Sequence, residues 1–265
     1  MKDKIILFGA GKLAEIFIQG FKQYLEDQYE IIAVYSRRKE PAEKLAANII
    51  RETRSKHCKA LTEIHEIYPL KPDYILEMAS PSALKDFAIK ALEHRISIVT
   101  LSIGALADKE FYKRVNQSGK EYGAKLHIAS GAIGGLDVLQ TVCLMEPSKG
   151  SFHTQKGPNS LKNTEVFTAD LLQHEKTVFS GNAIEAIQLF PTKVNVAVAA
   201  SIASIGPDSM EVKIDSIPNY IGDRHTIKIQ NKEVNASIEV YSKTASIAAW
   251  SVVRTLINLQ ATIVF

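Results

Sequence analysis

Ile5-Ile6-Leu7-Phe8-Gly9-Ala10-Gly11-Lys12-Leu13-Ala14 is the stretch that decides the fold. Four apolar residues in a row read as a buried parallel strand. The next six follow G-x-G-x-x-A, a dinucleotide fingerprint with alanine in the last place. Leu13, Ile16, Phe17 and Phe21 then recur at helical spacing. Strand, glycine turn and helix in that order give the motif the context it needs. Gly9 would allow the tight turn, Gly11 would let a pyrophosphate approach the backbone, and Ala14 would let the helix pack on the strand. Lys12 and Leu13, at the start of that helix, complete the cofactor-binding set of this turn.

A second strand is expected over 30–35. Many dinucleotide sites carry an acid at its end for the ribose 2′-hydroxyl. Here the chain reads Ser36-Arg37-Arg38-Lys39, with no carboxylate until Glu40. One hydroxyl and two guanidinium groups suit a 2′-phosphate, so NADP is the expected cofactor, with NAD as the alternative. A solvated basic loop is the simpler reading of the same residues. Further strands are expected over 74–78, 96–101 and 124–129, with helices over 81–93 and 108–121. Strands alternating with helices mean a doubly wound parallel sheet, which takes ligands at the carboxyl ends of its strands. That places Ala79, Ser80 and Ser102 on the cofactor side.

Ser130-Gly131-Ala132-Ile133-Gly134-Gly135-Leu136-Asp137 follows. Leu136, Val138, Leu139 and Val142 continue as a helical pattern, so the glycine-rich turn opens a helix. The segment reads either as a pocket floor between a cofactor and a substrate domain or as a plain tight turn. Beyond about residue 146 the pattern becomes α+β with an antiparallel sheet. Strands are expected over 151–157, 165–170, 210–216, 224–230 and 234–241, and helices over 182–190, 194–204 and 244–259.

Period-two alternation on the 224–230 strand puts His225, Ile227 and Ile229 on one face. His225 is then an inward imidazole, either a core histidine or a group placed for proton transfer near neutral pH. On the 151–157 strand, Phe152, Thr154 and Lys156 share a face. A hydroxyl and an ammonium together could hold a substrate carboxylate; the alternative is an ordinary exposed lysine.

Composition narrows the classes. The 265 residues are 46% hydrophobic and 23% charged, as in a soluble globular protein of one or two domains. A net charge of +3 is too small to argue for nucleic acid. No uncharged apolar stretch reaches membrane-spanning length, and no signal peptide is visible. Cys58 and Cys143 form no CxxC, which argues against a disulfide framework or zinc site; His57, Cys58 and His65 read as surface residues, and no metal is expected. A cytoplasmic location fits best.

Several segments together resemble the L-aspartate dehydrogenase family. They are 9–11, Leu101-Ser102-Ile103-Gly104-Ala105-Leu106-Ala107-Asp108, Ser130 to Asp137, Thr154-Gln155-Lys156-Gly157-Pro158, Phe179 to Ala186, Phe190 to Ala197, the strand with His225, and Lys243-Thr244-Ala245-Ser246. They occur in the family's order and span nearly the whole chain. The resemblance implies oxidative deamination of a dicarboxylic amino acid, L-aspartate, to iminosuccinate and then oxaloacetate and ammonia, with NAD or NADP. It implies that Ala132 and Asn195 contact the cofactor, that His225 is the active-site histidine, that the protein is a homodimer, and that the C-terminal helix packs back on the cofactor domain. Two places depart from the family pattern: Gln155 stands where arginine is usual, and Gly222-Asp223 where Arg-Asn is usual. Fewer guanidinium groups near a dicarboxylate site leave room for another imine or amino-acid substrate. Because fold alone does not give function, a non-catalytic NADP-binding protein on the same scaffold is a further alternative, which His225 argues against. The expected architecture is a Rossmann-type α/β domain over 1–130, joined by a helix over 242–265, and a substrate and dimerisation domain over 131–241.

Overall fold

In the computed structural model, which describes residues 2–264, the apolar run at 5–8 lies in a parallel sheet. β1 (Asp3–Phe8) is followed by α1 (Lys12–Tyr24), β2 (Tyr29–Tyr35), α2 (Lys39–Glu52), β3 (Lys59–Leu61), β4 (Tyr74–Glu77), α3 (Pro81–Glu93), β5 (Ser97–Thr100), α4 (Lys109–Tyr122) and β6 (Leu126–Ile128). The strand order is β3-β2-β1-β4-β5-β6, all parallel. β1 therefore has β2 on one side and β4 on the other, and the order reverses there. A crevice opens at the strand ends at such a reversal. Ile5, Ile6 and Leu7 are fully buried, which explains why this strand reads as unbroken apolar sequence.

The sequence reading assigns no element between residues 36 and 73, yet α2 and β3 form there. Ala42, Leu45, Ala46 and Ile49 of α2 are buried at helical spacing. Burying Leu45 and Ile49 is worth roughly 1.5–3 kcal/mol each. Pro41 is harmless in the first turn, where its missing N–H has no helical partner. Cys58 is also not a plain surface residue. It is partly buried against the core, and that burial pushes its thiol pKa up to about 12. His57 and His65 are exposed.

The chain divides into two compact units, Met1–Gly131 with Ala248–Phe265, and Ala132–Ile247. The last helix, α8 in chain order (Ser246–Gln260), returns its 248–260 portion to the first unit. There the Tyr29 hydroxyl donates to the Leu256 carbonyl at 2.8 Å, and a Cβ on Gly20 would strike Val253.

The second unit contains α5 (Leu136–Met145), β7 (Lys149–Lys156), β8 (Lys176–Asn182), α6 (Ala183–Leu189), α7 (Asn195–Ile202), β9 (Glu211–Ser216), β10 (Asp223–Gln230) and β11 (Asn235–Ser242). The sheet order is β11-β10-β7-β9-β8. Its pairs are antiparallel except β7 with β9, which run parallel. That pair needs a crossover, and the segment carrying β8, α6 and α7 supplies it. The strand expected over 165–170 does not form. Short 3₁₀ turns at Pro158–Leu161 and Ala169–Leu172 occupy the region instead, and bonds such as Phe167 N–H to the Thr164 carbonyl satisfy its backbone locally. β8 is one of the sheet's two edge strands, and its mostly half-exposed residues gave no apolar run to read. On the inner face, Phe152, Val212, Ile214, Ile227 and Ile229 are buried.

Candidate active site

The first unit holds a groove of about 670 Å³ at the carboxyl ends of β1, β2 and β4. It gathers seven of the expected cofactor residues: Gly9, Gly11, Ser36, Arg37, Arg38, Ala79 and Ser80. Gly9 has φ +116°, and a Cβ there would lie 3.1 Å from the Met78 carbonyl oxygen. Glycine is required at this turn on both counts. A Cβ on Gly11 would meet nothing within 4 Å, so the groove is open at the start of α1. That helix begins without a side-chain cap, leaving its first amides for an anion. Lys12 is exposed and Leu13 half-buried in the first turn of α1, beside the groove rather than lining it. Neither Arg37 nor Arg38 is in an ion pair among the described residues, and both side chains are exposed. The groove therefore fits a dinucleotide: bare backbone for the pyrophosphate in the middle, and cations at the β2 end.

Ser102 lies behind the groove. It is buried, and its hydroxyl donates to Glu77 Oε1 at 2.9 Å. The Ser80 hydroxyl caps α3 by accepting from the Ala83 N–H at 3.2 Å.

In the second unit, the inner sheet face carries a polar quartet. β10 pairs with β7 so that His225 faces Thr154 and Asp223 faces Lys156. Thr154 Oγ1 and His225 Nδ1 share a hydrogen bond of 2.9 Å. Lys156 Nζ is 3.6 Å from Asp223 Oδ1. His225 and Lys156 are each 4% exposed, so Lys156 is no ordinary surface lysine. Burial lowers its pKa, Asp223 opposes that shift, and the Lys193 charge adds to it. Burial first, and the Lys156 charge second, lower the His225 pKa to about 4, while Asp223 raises it. The imidazole is neutral at neutral pH. In the tautomer whose Nδ1–H donates to Thr154, Nε2 keeps its lone pair to take a proton. An anionic substrate beside Lys156 would raise that proton affinity.

Asn195 is the first residue of α7 and half-buried, and Ala132 is half-buried at the start of the second unit. Gly131 and Gly135, in the turn before α5, have φ +65° and +67°. Positive φ at both positions is the backbone of a tight turn.

Two departures from the family pattern take on a different meaning here. Gln155 does not join the quartet. It lines a cavity on the opposite sheet face with His153, Lys213 and Thr226. Gly222 has φ +81°, and a Cβ there would collide with the Ser242 carbonyl oxygen. The backbone at 222 is built for glycine, so an arginine side chain is not simply missing from it. Sequence reasoning met Asp223 only as a departure from the family pattern and gave its carboxylate no part in the site. One more step of the alternation through His225, Ile227 and Ile229 would have found it. Lys193 was missed because only the tertiary fold brings it within electrostatic reach of Lys156. Among the described residues, no group of three His, Cys, Asp or Glu could hold a metal ion, and no helix is long and apolar enough to cross a membrane.

A dinucleotide groove on one unit, and a buried imidazole with a cation on the other, define a nucleotide-dependent oxidoreductase scaffold. The sequence model described as "Homoserine dehydrogenase, NAD binding domain" matches residues 9–129, and that described as "Aspartate dehydrogenase, C-terminal" matches residues 137–259. An L-aspartate dehydrogenase of Methanococcus maripaludis is 32% identical over 267 residues, 97% of each chain. One of Acinetobacter baylyi is 28% identical over 96% of this chain and 97% of its own. The chain belongs to the L-aspartate dehydrogenase family. Its fold is that of the Thermotoga maritima aspartate dehydrogenase, with a TM-score of 0.78 over the whole of both chains at 24% identity. A hyperthermophilic archaeal homoserine dehydrogenase in complex with NADPH shares it more distantly, at TM-score 0.64, 13% identity and 97% of each chain.

Proposed function

We propose that this protein oxidatively deaminates L-aspartate, reversibly, with NADP preferred over NAD. The observation that carries this reading is the cross-strand quartet: a buried ammonium, a hydroxyl and a neutral imidazole on one face of the unit that matches the aspartate dehydrogenase C-terminal family. Lys156 and Thr154 would hold the substrate carboxylates. His225 Nε2 would take a proton from the water that attacks iminosuccinate, giving oxaloacetate and ammonia, and return it in the reverse direction. The nicotinamide nucleotide, when bound, supplies the hydride acceptor. Gly9, Gly11 and the first amides of α1 at Lys12 and Leu13 would hold its pyrophosphate. Ser36, Arg37 and Arg38 would grip a 2′-phosphate. Ala79, Ser80, Ser102, Ala132 and Asn195 would frame the rest. The same reading makes the protein a cytoplasmic homodimer, and its two free cysteines suit a reducing compartment.

Asp223 favours a second reading. A carboxylate already beside Lys156 lowers the site's net positive charge and suits a substrate with fewer carboxylates. The test is oxidation of NADPH and NADH with oxaloacetate, with and without ammonium, beside pyruvate as a monocarboxylate control. Ammonium-dependent oxidation yielding L-aspartate supports the first reading. Turnover on pyruvate alone moves the assignment to the second. His225→Ala should bind nucleotide as before and lose turnover.

A further inference from the structure

Behind the nucleotide groove stands a buried carboxylate. Glu77 ends β4 and is 0% exposed. Its Oε1 accepts from the Ala79 N–H at 2.7 Å, the Ser80 N–H at 3.0 Å and the Ser102 hydroxyl at 2.9 Å. Its Oε2 accepts from the Thr100 hydroxyl at 2.5 Å. Thr100 Oγ1 itself accepts the Ser102 N–H at 2.9 Å, which aims its own proton at Glu77. Four donors converge on the group, and the ionised carboxylate is the form that accepts all of them. Burial raises its pKa above the usual carboxylate range, and the same four hydrogen bonds oppose that rise and favour the ionised form. Two of the donors are amides and two are hydroxyls. The ionised carboxylate would be solvated by these dipoles alone, since none of the partners is a cation.

Ala79 and Ser80, which Glu77 holds by their amides, line the groove at its β4 end, while Ser36 to Arg38 line the β2 end. A dinucleotide held at β2 by its adenosine half brings its nicotinamide toward β4. The oxidised nicotinamide ring is a cation and the reduced ring is neutral. A fixed negative charge at this end acts on one redox form and not the other.

We propose that Glu77 is a selectivity residue for the cofactor's redox state: it positions the 79–80 loop and favours the oxidised, cationic nucleotide over the reduced one. This rests on the dinucleotide reading of the groove and is independent of the identity of the substrate. At an effective dielectric constant of about 20, two unit charges even about 12 Å apart are worth about a factor of ten in affinity.

The experiment is equilibrium titration of the full chain with NADP and, separately, NADPH, followed by calorimetry or nucleotide fluorescence, for the natural protein and Glu77→Gln. Glutamine keeps the shape and one acceptor oxygen and removes the charge. The expected result is a Kd for NADP raised about tenfold, with Kd for NADPH nearly unchanged. That ratio corresponds to a midpoint potential of the bound nucleotide about 30 mV more positive. Thr100→Val, which deletes one donor and so weakens the ionised form, should move the ratio the same way by less. It serves as the test if the glutamine variant does not fold. Equal changes in both Kd values, or none, would overturn the inference while leaving the groove's function intact. Failure of the natural protein to bind either nucleotide would overturn the cofactor reading and this inference with it.

Discussion

The buried imidazole of His225 should make this protein acid-labile by an amount that can be worked out. Its folded-state pKa is about 4, depressed from 6.5 by burial and then by the Lys156 charge. Between these two values the unfolded chain binds a proton that the folded chain excludes. Stability linked to His225 is therefore complete above the unfolded value and is lost as pH falls toward the folded one. By about pH 5, some 1.5 pH units into that window, the loss is about 2 kcal/mol at about 1.4 kcal/mol per unit. His225→Gln removes the titrating group and keeps a polar side chain of similar size. Thermal melts followed by far-ultraviolet circular dichroism at about pH 7.5 and about pH 5 compare the two proteins. For a chain of this size about 2 kcal/mol moves Tm by roughly 4–8 °C. The natural protein should lose that much more than the glutamine variant on acidification. Parallel losses would show that His225 is not excluded from protonation in the folded state, and the account of its neutral imidazole would fall.

Three further outcomes follow from the site. Arg37→Ala with Arg38→Ala should raise Kd for NADPH about tenfold or more, the worth of one lost charge-assisted contact, and leave NADH binding nearly unchanged in a fluorescence titration. Lys156→Met should fold, because a methionine suits a position 4% exposed, and should raise KM for aspartate about 10- to 100-fold in steady-state assays. Gly222→Arg should lower the melting temperature and should not tighten aspartate binding, because position 222 has φ +81° and no room for a Cβ beside the Ser242 carbonyl; a stable variant with a lower KM would contradict that geometry.

Much of this protein is determined by sequence alone. The strand at 5–8, the glycine turn and α1 are legible because each obeys a local rule: an apolar run, a φ that only glycine adopts easily, a 3.6-residue period. The faces of β7 and β10 are legible for the same kind of reason. Strict alternation put Thr154 and Lys156 on one face with Phe152, and His225 inward, before any packing was known. α2 carried its apolar stripe in plain view and went unread, while β8 carried no such signal, since burial along it does not alternate and none of its residues is fully buried. What only tertiary structure decided is which residues face one another. Asp223 meets Lys156, and Thr154 meets His225, through a register set between strands some seventy residues apart. Gln155 stands on the far side of the sheet from the quartet. Glu77 draws two strand ends together through donors spread from residue 79 to residue 102. Local sequence fixes the backbone's preferences and the side to which each residue points. The charge on a buried group depends on what long-range packing sets beside it, and for that reason the proton states of His225, Lys156 and Glu77 belong to the fold.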